Sequence, residues 1–173
     1  MQFAFVEPGP EGGLNRLLAE VAAVLRADGL RLAGVVPELA DTIAGHPCEM
    51  DLRVLPDGPL FCISQKLGTG SRGCRLDPAG LEAAVAAVQA TLERPLDLMI
   101  LNKFGRHEAE GRGFCPVIAE ALARGVPVLT GVTALSRAGF DAFSGGMARR
   151  LPAERRALLD WCRSGQGALM RQA

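Results

Sequence analysis

Four short stretches of this chain, Gln2 to Val6, Leu30 to Val36, Leu98 to Leu101 and Val126 to Val132, are almost continuously apolar and show no polar–apolar alternation. A strand with one face in water alternates, because successive side chains point to opposite faces. Runs without alternation fit strands buried on both faces, the pattern of a parallel sheet covered by helices on either side. The segments between them carry the helical period. Leu14, Leu17, Leu18, Val21 and Leu25 recur at helical spacing and stop at Gly29. Asp77 followed by Pro78 is a helix start, with Leu81, Val85, Val88 and Leu92 along one face. Cys115 to Arg124 is helical up to Gly125, Ser136 caps a short helix, and Pro152 to Ser164 forms a last amphipathic one. Met50 to Leu55 and Leu60 to Ser64 flank Pro-Asp-Gly-Pro, which predicts a β-hairpin inserted at one sheet edge. The expectation is a three-layer α/β domain over residues 1–150 with a mostly parallel sheet. A C-terminal helix and tail follow at 151–173, fraying after Gly165.

A chain of 173 residues suits one domain, and a hydrophobic share of 49% is enough for a real core. Lys plus Arg equals Asp plus Glu at 19 each, with no basic stripe and only 5% aromatic residues, so nucleic acid is not an expected partner. No apolar run approaches the ~20 residues of a membrane span. The start, Met-Gln-Phe-Ala-Phe-Val, has no basic n-region, so a cytoplasmic protein is expected. Five cysteines (48, 62, 74, 115 and 162), an odd number without a C-x-x-C, argue against a disulfide framework. Cys62 and Cys115 sit in or beside apolar segments and are expected in the core. Cys48 and Cys74 fall in polar loops. His46-Pro47-Cys48 lacks zinc-ligand spacing, and no metal site is assigned.

Chemistry concentrates in three loops. The first, Glu7-Pro-Gly-Pro-Glu-Gly-Gly-Leu-Asn15, lies between a strand and a helix, where a phosphate loop of the form G-x-x-x-x-G-K-[ST] would lie. Its glycines are present, but the Lys and the hydroxyl are not. Pro8 and Pro10 remove amide donors, and Glu7 and Glu11 would repel an anion. A helix N-terminus still attracts negative charge, but an ordinary β–α turn is the favoured reading. The second, Ser64 to Arg75, places Ser71, Arg72, Gly73 and Arg75 before the Asp77 helix. Bare amides beside arginine forks suit a phosphate or another oxyanion, although a solvated surface loop has the same composition. The third follows the apolar strand at 98–101, and seven of the eleven residues from 102 to 112 are polar or charged. Ligands of open α/β sheets bind outside the carboxyl ends of the strands. This cluster, with Asn102, Lys103, Arg106, His107, Glu108 and Glu110, is therefore the primary site candidate. Glu108 and Glu110 offer a general base or cation ligands, or else they neutralise Arg106 and Arg112 in a surface network. Asn102-Lys103 is not the guanine motif N-K-x-D, because Gly105 holds its fourth position. Neither G-x-S-x-G nor G-x-G-x-x-G occurs.

Four segments, Cys48 to Gly58, Ile63 to Asp77, Leu101 to Phe114 and Gly125 to Val132, resemble an uncharacterised bacterial family encoded within molybdenum-transport operons. The similarity covers about residues 2–150. More distantly, the layout resembles small nucleoside-triphosphatases related to P-loop kinases. In those, a phosphate loop opens the chain, a hairpin follows, and a late strand ends in Asp-Glu-x-Gly. Here that strand ends Asn102-Lys103-Phe104-Gly105, an amide and a cation in place of two carboxylates. The resemblance implies a P-loop-NTPase-like architecture with degenerate Walker motifs and no assignable catalytic role or cofactor. The expected function is binding, without NTP hydrolysis, of molybdate or tungstate, a nucleotide, or a molybdenum-cofactor fragment bearing phosphate. Ser71, Arg72, Gly73, Arg75, Asn102, Lys103 and Arg106 would hold it. The alternatives are a metal-dependent nucleotide or phosphate-ester hydrolase using Glu108 or Glu110, and a regulatory or assembly protein with a vestigial site. In the latter, the Trp161 helix, with Leu158 and Leu159, would pack on a second subunit as a homodimer.

Overall fold

In a computed structural model, which describes residues 2–9, 12–38, 51–64 and 76–164, the apolar runs become inner strands of one sheet. They are β1 (Phe3–Val6), β2 (Leu32–Pro37), β5 (Leu98–Phe104) and β6 (Val128–Val132). The hairpin contributes β3 (Asp51–Val54) and β4 (Leu60–Cys62), and a short strand near the end contributes β7 (Arg149–Leu151). The strand order is β4-β3-β2-β5-β6-β1-β7. β2, β5, β6, β1 and β7 run parallel, and the β3–β4 hairpin joins β2 antiparallel at the edge. The α/β class, the mostly parallel sheet and the hairpin insertion are as expected.

Both faces of the inner strands are buried. Phe3, Phe5, Met99 and Leu101 enter one core with Val88 of α2 (Pro78–Thr91), Ile118 of α4 (Cys115–Ala123) and Phe140 of α5 (Arg137–Ser144). Ala4, Val6, Leu98 and Ile100 enter the other, with Leu18 and Val21 of α1 (Leu14–Ala27) and Leu158 of α6 (Arg155–Ser164). One face therefore carries α1 and α6, and the opposite face α2, α4 and α5. The second core includes Leu159, which with Leu158 had been a candidate for a subunit contact; both leucines serve this chain's own fold instead. Among the described residues, no helix is long and apolar enough to cross a membrane.

Local signals explain most boundaries. Asp77 caps α2 by accepting from the Ala79 amide at 3.0 Å, with Pro78 at the first helical position. Ser136 does not cap α5 through its side chain; its hydroxyl accepts from the Thr133 amide at 3.3 Å and closes the preceding turn. The last helix starts at Arg155, not Pro152. Two elements were not foreseen: β7, whose Arg149-Arg150-Leu151 has no strand signature, and the single turn α3 (Arg106–Ala109). Cys62 departs from expectation: it is exposed at the end of an edge strand and disulfide-bonded. Cys162 is a core residue, and burial pushes its thiol up to about 12.

At the amino edge, β2 and β5 are clasped. Asp97 accepts from the Arg31 amide at 2.8 Å, and the Arg31 guanidinium forks onto both its oxygens at 3.0 and 2.6 Å. The Arg31 side-chain hydrogen bonds hold the Asp97 carboxyl below its ordinary value, against the upward push of partial burial. A depressed folded-state value means stability that is complete above the unfolded carboxylate value of about 4 and lost as the pH falls below it. Asp97→Asn is expected to flatten the acid limb of stability between about pH 4 and 2, measured by urea midpoints. Further along β2, Gly34 has φ +103, and a Cβ there would meet the Ile100 carbonyl oxygen at 2.0 Å. Gly34→Ala is expected to lower unfolding free energy by about 3 kcal/mol or more, from backbone strain plus overpacking. Denaturant unfolding at neutral pH checks this.

Candidate functional site

The sheet's connections fix where a ligand can enter. From β1 the chain leaves through α1 toward β2, whereas from β6 it leaves through α5 toward β7, on the opposite face. The loops part between the carboxyl ends of β1 and β6, the topological switch point where open α/β sheets bind ligands. Three groups of side chains border it.

The first loop enters α1 through Gly13, which has φ +76. Gly12 (φ +74) donates its amide to the Gly9 carbonyl at 3.0 Å. That amide is therefore not available to an anion. Leu14, where a phosphate loop carries Lys, is 8% exposed and belongs to the α1-side core. Beneath it lies Gly131 of β6: a Cβ there would meet the Asn102 carbonyl oxygen at 2.4 Å and Leu14 Cδ2 at 2.8 Å. Leu14, Asn102 and Gly131 thus converge from α1, β5 and β6. Asn15, where the hydroxyl residue would be, is exposed.

The second group is the end of β5. Its register against β6 shifts between Leu101 and Phe104, so Asn102 and Lys103 sit on an irregular segment. Such bulges re-aim side chains at sheet ends. Lys103 is exposed and has no hydrogen-bond or ion-pair partner among the described residues. Phe104 then drops back into the core, 5.2 Å from the Phe140 ring.

The following loop is organised by Glu108. Only 6% exposed, it accepts from the Gly105 amide at 2.9 Å with one oxygen and from the Phe114 amide at 3.0 Å with the other. Both oxygens face into the loop they staple, and Gly113 (φ +55) makes room for them. Glu108 is therefore a structural clamp, not a base facing a ligand. Glu110 accepts from Arg106 at 2.8 Å and is also paired with Arg112; the hydrogen bonds from Arg106 and Arg112 hold its carboxyl below its ordinary value. Glu110 thus sits in a surface network with Arg106 and Arg112. Cys115 is half-buried; burial first, and the Glu108 charge second, push its thiol up. It is not an activated nucleophile.

The third group was not recognised in the sequence. Glu7, directly after β1, accepts from Arg137 of α5 at 2.8 Å and is ion-paired with Arg150 of β7 at 2.7 Å. The partners are more than a hundred residues away in sequence, and no local pattern announces them. Ser71, Arg72, Gly73 and Arg75, with His46, Cys48 and Cys74, lie outside the described residues. The flanks of the second loop, Ser64 and Leu76, are bridged beyond β4. β4 is three strands from β5, about 14 Å away.

Comparison with known proteins places this arrangement. The chain belongs to the family described as protein of unknown function DUF2478, whose model matches residues 3–161. It is 34% identical over 179 aligned residues to the molybdenum import ATP-binding protein ModC 2 of Bradyrhizobium diazoefficiens. That alignment takes in 99% of this chain and 20% of the relative, so the chain spans about a fifth of the relative's length. The solution structure of a human cancer-related nucleoside triphosphatase shares the fold, with a TM-score of 0.62 over the whole of both chains at 16% identity. The α/β fold with its mostly parallel sheet is thus shared with a solved protein.

Replacing Glu108 leaves two buried amides without an acceptor, a loss of roughly 2–4 kcal/mol. Glu108→Ala is expected to lower stability by about that amount and to make the Phe114 amide exchange rapidly with solvent. Hydrogen exchange read by NMR would show it; an unchanged Phe114 amide would remove the clamp role.

Proposed function

We propose that this protein binds an oxyanion or a phosphate-bearing ligand at the carboxyl edge of its sheet, in a molybdenum-linked role, and does not hydrolyse nucleoside triphosphates. The observation that carries this reading is the pairing of Leu14 with Lys103. An apolar side chain is buried where a phosphate loop would present Lys, and at the end of β5 stands an exposed cation with no ion-pair partner among the described residues. In an NTPase of this architecture those places hold opposite chemistry: a cation for the phosphates at the helix start, carboxylates for the metal at the strand end. A Lys beside an Asn amide attracts and orients negative charge directly. The walls here are the Gly9–Gly12 turn and the backbone of Gly131, with Asn102 and Lys103 as the groups that meet the ligand. Ser71, Arg72, Gly73 and Arg75 supply further charge and bare amides from the second loop.

The molybdenum link rests on the relative. A stretch like this chain forms about a fifth of a protein named for molybdenum import and ATP binding. A module whose own phosphate loop lacks Lys and hydroxyl leaves ATP handling to other parts of such a protein. The module's contribution is then to sense or hold the transported anion, or a phosphorylated product of its metabolism. The working place is the cytoplasm, where ATP and imported molybdate meet.

Isothermal titration with molybdate, tungstate, sulfate, phosphate and ATP tests the reading, with phosphate release followed in parallel. One of these ligands is expected to bind at micromolar levels, without turnover of ATP. Lys103→Ala is expected to weaken that binding about 10- to 100-fold, the worth of one charge-assisted hydrogen bond. Equal millimolar affinities for all five, unchanged by Lys103→Ala, would sink it, as would ATP turnover lost on that substitution.

A further inference from the structure

We propose that Arg137 and Arg150 form an anion subsite at the switch point, occupied here by the tethered carboxylate of Glu7 and open to a small oxyanion or phosphate group that displaces it. Glu7 follows β1 and Arg137 follows the turn after β6, so their 2.8 Å ion pair spans the crevice where the connections diverge. The place that topology reserves for a ligand already contains a negative group held by two guanidiniums, one on each oxygen. This differs from Asn102 and Lys103, which lie two strands along the sheet from β1, about 10 Å away, and it does not depend on them.

The two arginines are held differently, and that difference argues for exchange. Arg137 is fixed independently of Glu7. Its Nε donates to both oxygens of Asp141 at 2.9 Å, and its guanidinium stacks 4.6 Å from the centre of the Phe5 ring. With Glu7 withdrawn, Arg137 still presents NH1 to the same point. Arg150 touches Glu7 through NH2 alone, and its side chain is 68% exposed, so it adapts to what lies between the pair. Arginine forks suit carboxylate, phosphate and tetrahedral oxyanions alike, which is why one can replace another. Glu7 itself sits just before the glycine turn at 9–13, whose Gly12 and Gly13 have φ +74 and +76. A tethered carboxylate acts at a high effective concentration, so it masks the pair unless the free anion is abundant or the turn shifts. Occupation of the subsite would therefore be reported to the first loop and to the start of α1.

The decisive comparison is Glu7→Gln against the native chain, titrated separately with molybdate, inorganic phosphate and adenosine monophosphate. Glu7→Gln is expected to bind at least one of them ten- to a hundredfold more tightly than the native protein, and the double variant E7Q/R150Q is expected to lose that gain. Phosphate and the monophosphate binding alike would put esters among its ligands; inorganic ions alone would restrict it to free oxyanions. Affinities within twofold of native for all three, or a gain that survives Arg150→Gln, would overturn the proposal. Should Glu7→Gln fail to fold, arginine side-chain NMR signals of the native protein decide it. Saturable shifts of Arg137 and Arg150 with molybdate or phosphate are expected, and no shift at either would refute it. Lys103→Ala in the same titrations separates the two sites. A gain on Glu7→Gln that persists without Lys103 leaves the subsite standing, even where the reading centred on Lys103 has failed.

Discussion

A strand buried on both faces has only its ends to give to water, and that constraint arranges the polar chemistry of this chain. β1, the first four residues of β5, and Val128, Leu129 and Val132 of β6 all give their side chains to one core or the other. Polar residues therefore gather where the strands stop, and two ends are distinguishable. At the amino edge the pairing is closed: Asp97 and Arg31 satisfy each other and fix β2 against β5. At the carboxyl edge the connections from β1 and β6 leave on opposite faces. There Glu7 joins Arg137 and Arg150 across the divergence, and Lys103 is exposed.

Charge in this chain is divided by residue type. Arginines at 31, 53, 106, 112, 124, 137, 150 and 163 are each engaged with a carboxylate. A guanidinium is suited to this, because its fork matches a carboxylate geometrically and loses little freedom per bond. The chain has only two lysines, and Lys103 is the one among the described residues. It stands on an irregular end of β5, a compact charge on a flexible stem, exposed and without an ion-pair partner among the described residues.

The sequence was legible where short-range physics decides. Continuous apolar runs located the inner strands, Asp77-Pro78 located the start of α2, and Pro-Asp-Gly-Pro located the hairpin. It was illegible where the deciding partner is distant or the segment is too short to carry a period. β7 reads Arg-Arg-Leu, and only its pairing with Ala4 to Val6 makes it a strand. Cys62 follows two apolar residues, yet β4 lies at the edge and leaves it exposed. Glu108 and Glu110 are two residues apart and look equivalent as text. One is buried on two amides and the other is exposed between two arginines, because α3 is a single turn that points them to opposite sides. The polar cluster at the end of β5 was legible, but the Glu7 cluster was not, since its partners come from α5 and β7.

Leu14, Gly131 and Asn102, from three different elements, depend on one another for their packing. Leu14 can be buried because Gly131 offers no side chain, and the same glycine lets the Asn102 backbone approach from β5. Just before Leu14, the Gly12 amide donates to the Gly9 carbonyl. At the end of β5, Asn102 and Lys103 place an amide and an exposed cation beside the same backbone. A Lys at position 14 would place an ammonium group in an apolar core at a cost of several kcal/mol. The start of α1 is thus set by packing: Leu14 fills the space that Gly131 leaves over β6.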